Sequence, residues 1–144
     1  MRIVAVADTH LFTDDLALPP GDLLVHCGDL CRQGDLAELA EAAAWLLAQP
    51  HPHKIVIAGN HDWAFVTDPA AARALLPGVT YLQDSAATIN GLRVYGSPWQ
   101  PAYNDWAFNL PRGPALAERW RHIPAGLDLL LTHGPPAGIG DDNL

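Results

Sequence analysis

Four short apolar runs in this chain each stop at a cluster of metal-type ligands, and that repetition constrains the fold more than any other feature. Residues 3–7 lead to Asp8-Thr9-His10 and residues 22–26 to Gly28-Asp29. Residues 54–58 lead to Gly59-Asn60-His61-Asp62, and residues 127–131 to Thr132-His133. The runs are rich in Val, Ile and Leu, as expected of strands buried on both faces. Strands of an open α/β sheet present side chains from their C-terminal ends into a shared crevice, so ligands far apart in sequence can converge there.

Between the runs the pattern is helical. Leu36, Leu39, Ala40, Ala43, Leu46 and Leu47 fall on one helical face, with Asp35 as a cap and Pro50 as a stop. Asp68 caps a second helix with Pro69 at its first position, running over 70–76 to Pro77-Gly78. Residues 81–82 and 87–89 read as weaker strands, and Asn90-Gly91 is a two-residue hairpin signal at which a second sheet begins. The stretch up to Pro111 is rich in Pro, Gly, Asn and Trp and reads as an ordered loop, followed by a helix over 114–121. Residues 1–144 therefore read as a single α/β domain.

Acidic residues outnumber basic ones sixteen to eight, with no Lys/Arg cluster, which argues against duplex nucleic acid or an anionic membrane as partner. A small phosphate ligand remains compatible, because bound cations reverse the local field. The first apolar run starts too early for a signal peptide, and no stretch approaches the roughly 20 apolar residues of a membrane helix, so the expected compartment is the cytoplasm. Cys27 and Cys31 read as reduced thiols, since zinc thiolate sites usually use more such ligands. His26 reads as a hydrogen-bonded structural residue, His51 and His53 as solvated among prolines, and His122 as a helix-end residue.

The order Asp-x-His, Gly-Asp, Gly-Asn-His-Asp and Thr-His resembles the calcineurin-like metallophosphoesterase superfamily. The stretch Gly96-Ser97-Pro98-Trp99-Gln100-Pro101, then Asn104-Asp105-Trp106-Ala107-Phe108-Asn109-Leu110-Pro111-Arg112-Gly113 and Leu131-Thr132-His133-Gly134-Pro135-Pro136, is similar to its metallophosphoesterase-domain-containing group, whose animal members are expressed in brain. The resemblance implies two packed mixed β-sheets flanked by helices, here lacking the last strands, because the family's later Gly-His-x-His segment does not occur before Leu144.

It also implies two divalent ions, with Asp8, His10 and Asp29 on one and Asp29, Asn60 and His133 on the other; mixed oxygen and nitrogen donors suit Mn, Fe or Zn. Two such ions activate a shared water for in-line attack at phosphorus. His61 would protonate the leaving group, with Asp62 orienting its imidazole. The implied activity is phosphodiester hydrolysis, including cyclic nucleotides; the alternative is a catalytically silent metal- or nucleotide-binding module. Trp99, Tyr103, Trp106 and Phe108 either stack a nucleobase or form an aromatic mini-core, with Arg112 available to a phosphate oxygen. Asp141 or Asp142 could replace a missing ligand, although a solvated tail is the simpler reading. An uncovered sheet edge would favour a homodimer.

Overall fold

A computed structural model describes residues 1–136 and 138–140, so the expectation for Asp141 and Asp142 lies outside the described residues. Three of the four ligand-bearing runs form neighbouring strands: β1 (Ile3–Val6), β2 (Leu23–Cys27) and β3 (His53–Ile57), joined by the short β4 (Thr80–Tyr81) in a parallel sheet of order β1-β2-β3-β4. Side chains alternate across a strand, so each strand feeds two cores. Val4, Leu24 and Val56 meet the helical layer, whereas Leu23, Val25, Ile55 and Ile57 pack against Leu82, Val94 and Leu131. This two-sided burial explains why the runs are almost uniformly apolar.

The fourth run lies outside this sheet. It forms β9 (Leu129–Thr132), which pairs in parallel with β6 (Leu92–Ser97) in a second sheet of order β5-β6-β9. The antiparallel partner, β5 (Ser85–Ile89), joins β6 through Asn90 and Gly91 at φ 48° and 86°, the pair of positive values that a type I′ turn requires. The second sheet is mixed as expected, whereas the first is parallel throughout its described strands. β1 and β9 are sheet edges, with Ile3 and Leu130 exposed on them.

The helices α1 (Leu36–Ala48), α2 (Ala64–Thr67) and α3 (Pro69–Ala74) lie on the outer face of the first sheet. Asp35 caps α1 by accepting the Glu38 N–H at 2.8 Å, and Asp68 caps α3 through Ala71 N–H. The buried face of α1 is Leu39, Ala42, Ala43 and Leu46, while Leu36, Ala40 and Leu47 are exposed, a rotation from the expected stripe. Truncating Leu39 or Leu46, both wholly buried, would cost about 2–5 kcal/mol. The expected loop before Pro111 contains a two-residue parallel ladder, β7 (Gln100–Pro101) with β8 (Asn109–Leu110), and α4 (Pro114–Arg121) follows as expected. No described helix is long and apolar enough to cross a membrane.

Candidate metal centre

The loops leaving β1 and β2 run side by side, tied by Asp8 N–H to Gly28 O at 3.0 Å, His10 N–H to Asp29 O at 3.1 Å and Leu11 N–H to Leu30 O at 3.1 Å. Asp8, His10 and Asp29 all have left-handed backbone, at φ 55°, 45° and 57°. Such conformations cost on the order of 1 kcal/mol or more each and persist only where surrounding structure enforces them. The strand ends at Val6, so left-handed backbone at Asp8 and His10, and not strand alternation, sets the directions of their side chains.

Glycine is required behind them. A Cβ at Gly28 would lie 2.6 Å from His133 Nδ1 and 2.7 Å from Gly59, and one at Gly59 would collide with Asp29. Close backbone packing of these two glycines lets the ends of β2 and β3 bring their carboxylate and amide to a common point.

Three histidines then converge on Asp29 by the same device. The Nδ1 atoms of His10, His61 and His133 lie 2.8, 2.6 and 2.8 Å from the carbonyl oxygens of Cys31, Arg32 and Cys27. A carbonyl only accepts, so each Nδ1 carries the proton and each Nε2 is directed to the Asp29 carboxylate, at 3.5, 4.0 and 3.4 Å. His133 Nε2 also lies 3.0 Å from Asn60 Oδ1. Ligands sharing one ion at about 2.0–2.3 Å are spaced about 3.0–3.5 Å apart when adjacent. The His10, His133 and Asn60 spacings fit that value, and a backbone acceptor on the far ring nitrogen is the usual support of a metal-bound histidine.

Among the described residues, two groups offer ligand atoms within 4.8 Å of one another, His10 with Asp29 and His61, and Asp8 with Asp29 and His133. Asp29 belongs to both. Asp8 is therefore grouped with His133 and not with His10, which differs from the division the resemblance implied.

Asp62 is the clearest correction. It does not touch the His61 ring, whose Nδ1 is held by Arg32 O. Its wholly buried carboxylate accepts backbone N–H groups from Asp29 at 2.9 Å, Gly59 at 2.8 Å and Cys31 at 3.0 Å. Burial raises its pKa, with the Asp29 charge acting in the same direction, against the pull of the Gly59 and Cys31 N–H donors. The carbonyls of Cys27, Cys31 and Arg32 were not visible beforehand, since any residue supplies a carbonyl and only the fold aims it.

Burial opposes ionisation of Asp29, but hydrogen bonds and charge from His133 and His61 outweigh it and lower its pKa. Burial likewise opposes protonation of His133, yet the Asp29 carboxylate and the Cys27 carbonyl raise it to about 8. His26 is structural as expected: wholly buried, it meets Thr9 Oγ1 at 3.0 Å, and burial first, then His133, lowers its pKa to about 4. His51 is buried and not solvated, because Pro19 O reaches its Nε2 at 3.0 Å; His53 opens β3, half-buried. Cys27 and Cys31 are free thiols, and burial raises both pKa values, that of Cys27 to about 11. His122 caps the end of α4.

Of the four aromatic residues singled out from the sequence, Trp106 stands against the site, its ring centroid 4.0 Å from that of His61. Trp99 donates its indole N–H to Asp84 at 2.6 Å and lies under the Arg119 guanidinium, and Phe108, 4 % exposed, packs edge-on against it. Trp99 and Phe108 thus form the aromatic mini-core, which corrects their reading as a substrate platform. Tyr103 and Arg112 are exposed, and Arg112 makes no hydrogen bond or ion pair among the described residues.

The family model for calcineurin-like phosphoesterases matches residues 1–143. Metallophosphoesterase domain-containing protein 1 of Homo sapiens and that of Mus musculus are each 44% identical over 163 residues, covering 97% of this chain and 50% of their own length. UPF0046 protein C25E10.12 of Caenorhabditis elegans is 36% identical over 162 residues, covering 99% of the chain and 57% of its own length. The chain spans about half the length of these curated relatives. With its sheet-end ligand clusters and a match over nearly its whole length, the chain belongs to the calcineurin-like phosphoesterase family.

Proposed function

We propose that this chain hydrolyses phosphodiesters, cyclic nucleotides among them, at the crevice around Asp29. The observation that carries the reading is that Asp29 is common to two ligand groups while three histidines turn their Nε2 atoms toward it. Asp8, Asn60 and His133 would hold one divalent ion and His10 the other, Asp29 belonging to both ligand groups; Mn, Fe or Zn would suit these donors. When bound, two such ions would supply a water of lowered pKa and stabilise negative charge at phosphorus.

The remaining work falls to the chain. His61 Nε2 lies 4.0 Å from Asp29 Oδ2, wider than the spacings of His10 and His133, which leaves it for the leaving group. Because Arg32 O holds the Nδ1 proton, the proton delivered to the departing alkoxide comes from Nε2. Trp106 covers the His61 ring and limits its approach to one face.

Metal-stripped protein supplied with Mn²⁺ is expected to hydrolyse bis-p-nitrophenyl phosphate and, more slowly, an alkyl phosphodiester. His61→Ala should retain Mn²⁺ and lose about a hundredfold or more on the alkyl ester, with a smaller loss on the nitrophenyl ester, whose leaving group scarcely needs a proton. Equal losses would reject His61 as the acid. Mn²⁺ uptake without turnover of either ester would favour the binding module instead.

A further inference from the structure

Asn60 presents a problem that its sequence position does not solve: an amide has an oxygen and a nitrogen of nearly equal size, and only the oxygen can join an ion. The two-residue ladder of β7 and β8 supplies a solution. Gln100 pairs with Asn109 in register, Gln100 N–H bonds to Phe108 O at 3.1 Å, and Ala107 N–H bonds to Asn60 O at 3.0 Å, so the ladder is fastened to the backbone of Asn60.

The side chains form a sequence with one direction. Asn109 Nδ2 donates to Tyr103 O at 2.8 Å; the carbonyl cannot donate, so the Asn109 amide is fixed with Oδ1 turned inward. That oxygen accepts from Gln100 Nε2 at 3.1 Å, which fixes the second amide, and the same Nε2 donates to Asn60 Oδ1 at 2.9 Å. Asn60 Oδ1 has a second lone pair, and it lies 3.0 Å from His133 Nε2 at the edge of the Asp29 group. Reversing the Asn60 amide would set its N–H bonds against those of Gln100.

We infer that Gln100 and Asn109 are positioning residues, an amide relay anchored on the Tyr103 carbonyl that holds the oxygen of Asn60, and not its nitrogen, toward Asp29 and His133. The inference rests on the metal-site reading of Asp29, Asn60 and His133. It also gives the Trp-Gln-Pro and Phe-Asn-Leu segments a purpose that the aromatic residues between them do not provide.

The test is a double-mutant cycle on Mn²⁺ affinity, read by calorimetry on metal-stripped protein with melting temperature as the folding control. Gln100→Met keeps the shape of the side chain and removes the donor; it should weaken the tightest Mn²⁺ site roughly tenfold, the lower end for a residue supporting a ligand. Asn60→Ala should weaken it further, and adding Gln100→Met to Asn60→Ala should change affinity by less than about twofold, because the relay acts only through Asn60. If Gln100→Met does not fold, Asn109→Ser, at the outer end of the relay, should show the same non-additivity at smaller size. Unchanged affinity in Gln100→Met, or a loss repeated in full in the Asn60→Ala background, would overturn the relay alone. A wild-type chain that takes up no Mn²⁺ would overturn the metal-site reading and the relay with it.

Discussion

The Asp62 carboxylate accepts the backbone N–H of Asp29 at 2.9 Å, so one buried acid sets the chain direction at the residue on which the whole site converges. The same carboxylate binds Gly59 and Cys31 N–H groups and thereby locks together the ends of β2 and β3. Asn has one acceptor oxygen in place of two. Asp62→Asn should therefore leave a buried N–H unpaired and destabilise by about 1–3 kcal/mol, with Mn²⁺ affinity falling in parallel. Urea unfolding of the metal-free protein checks this; unchanged stability with a purely catalytic loss would return Asp62 to a role beside His61.

His133 makes the stability of the metal-free protein depend on pH. Its folded pKa of about 8 lies above the ordinary 6.5, so its ion pair with Asp29 contributes on the order of 2 kcal/mol below pH 6.5 and loses it as pH rises through 8. His26 acts in the opposite sense. Its folded pKa of about 4 means that its contribution is present above pH 6.5 and is lost as pH falls through 4. Unfolding titrations between pH 4 and 9 in the presence of EDTA should show both limbs; His133→Gln should flatten the alkaline one and, by removing a charge that lowers the His26 pKa, make the acid one shallower.

Trp99 and Trp106 should separate cleanly. Trp106→Ala removes a ring contact with His61 worth about 0.5–1.5 kcal/mol, so turnover of a small diester should fall about two- to tenfold with melting temperature and Mn²⁺ content nearly unchanged. Trp99→Ala removes the Asp84 hydrogen bond and the Arg119 contact, so it should lower melting temperature first. The reverse pattern would make Trp99 the substrate-facing ring.

The sequence carried those features that depend on local chemistry. Asp35 and Asp68 at helix starts, the Asn90-Gly91 turn and the bounds of α4 were readable because capping and positive φ are properties of a few residue types. The runs before Asp8, Asp29, Asn60 and His133 were readable because burial on both faces leaves a continuous apolar pattern. Which sheet each run joins was not, since periodicity reports burial and not partners; β9 went to the second sheet. Asp62 beside His61 suggests an orienting carboxylate, yet beyond Gly59 N–H its donors come from Asp29 and Cys31, 33 and 31 residues away, and no local signal announces them. The burial of His51 is likewise illegible in its neighbourhood, its partner Pro19 O being 32 residues distant.

The central claim is that Asp29 joins two cation positions, and Mn²⁺ stoichiometry by equilibrium dialysis, measured beside phosphodiester hydrolysis for wild type and Asp29→Asn, tests it most directly. The account predicts about two Mn²⁺ per wild-type chain, with measurable hydrolysis of bis-p-nitrophenyl phosphate, and in Asp29→Asn the loss of tight binding at both positions together with the hydrolysis. A wild-type chain that binds no Mn²⁺, or an Asp29→Asn variant that keeps both ions and the wild-type rate, would contradict it.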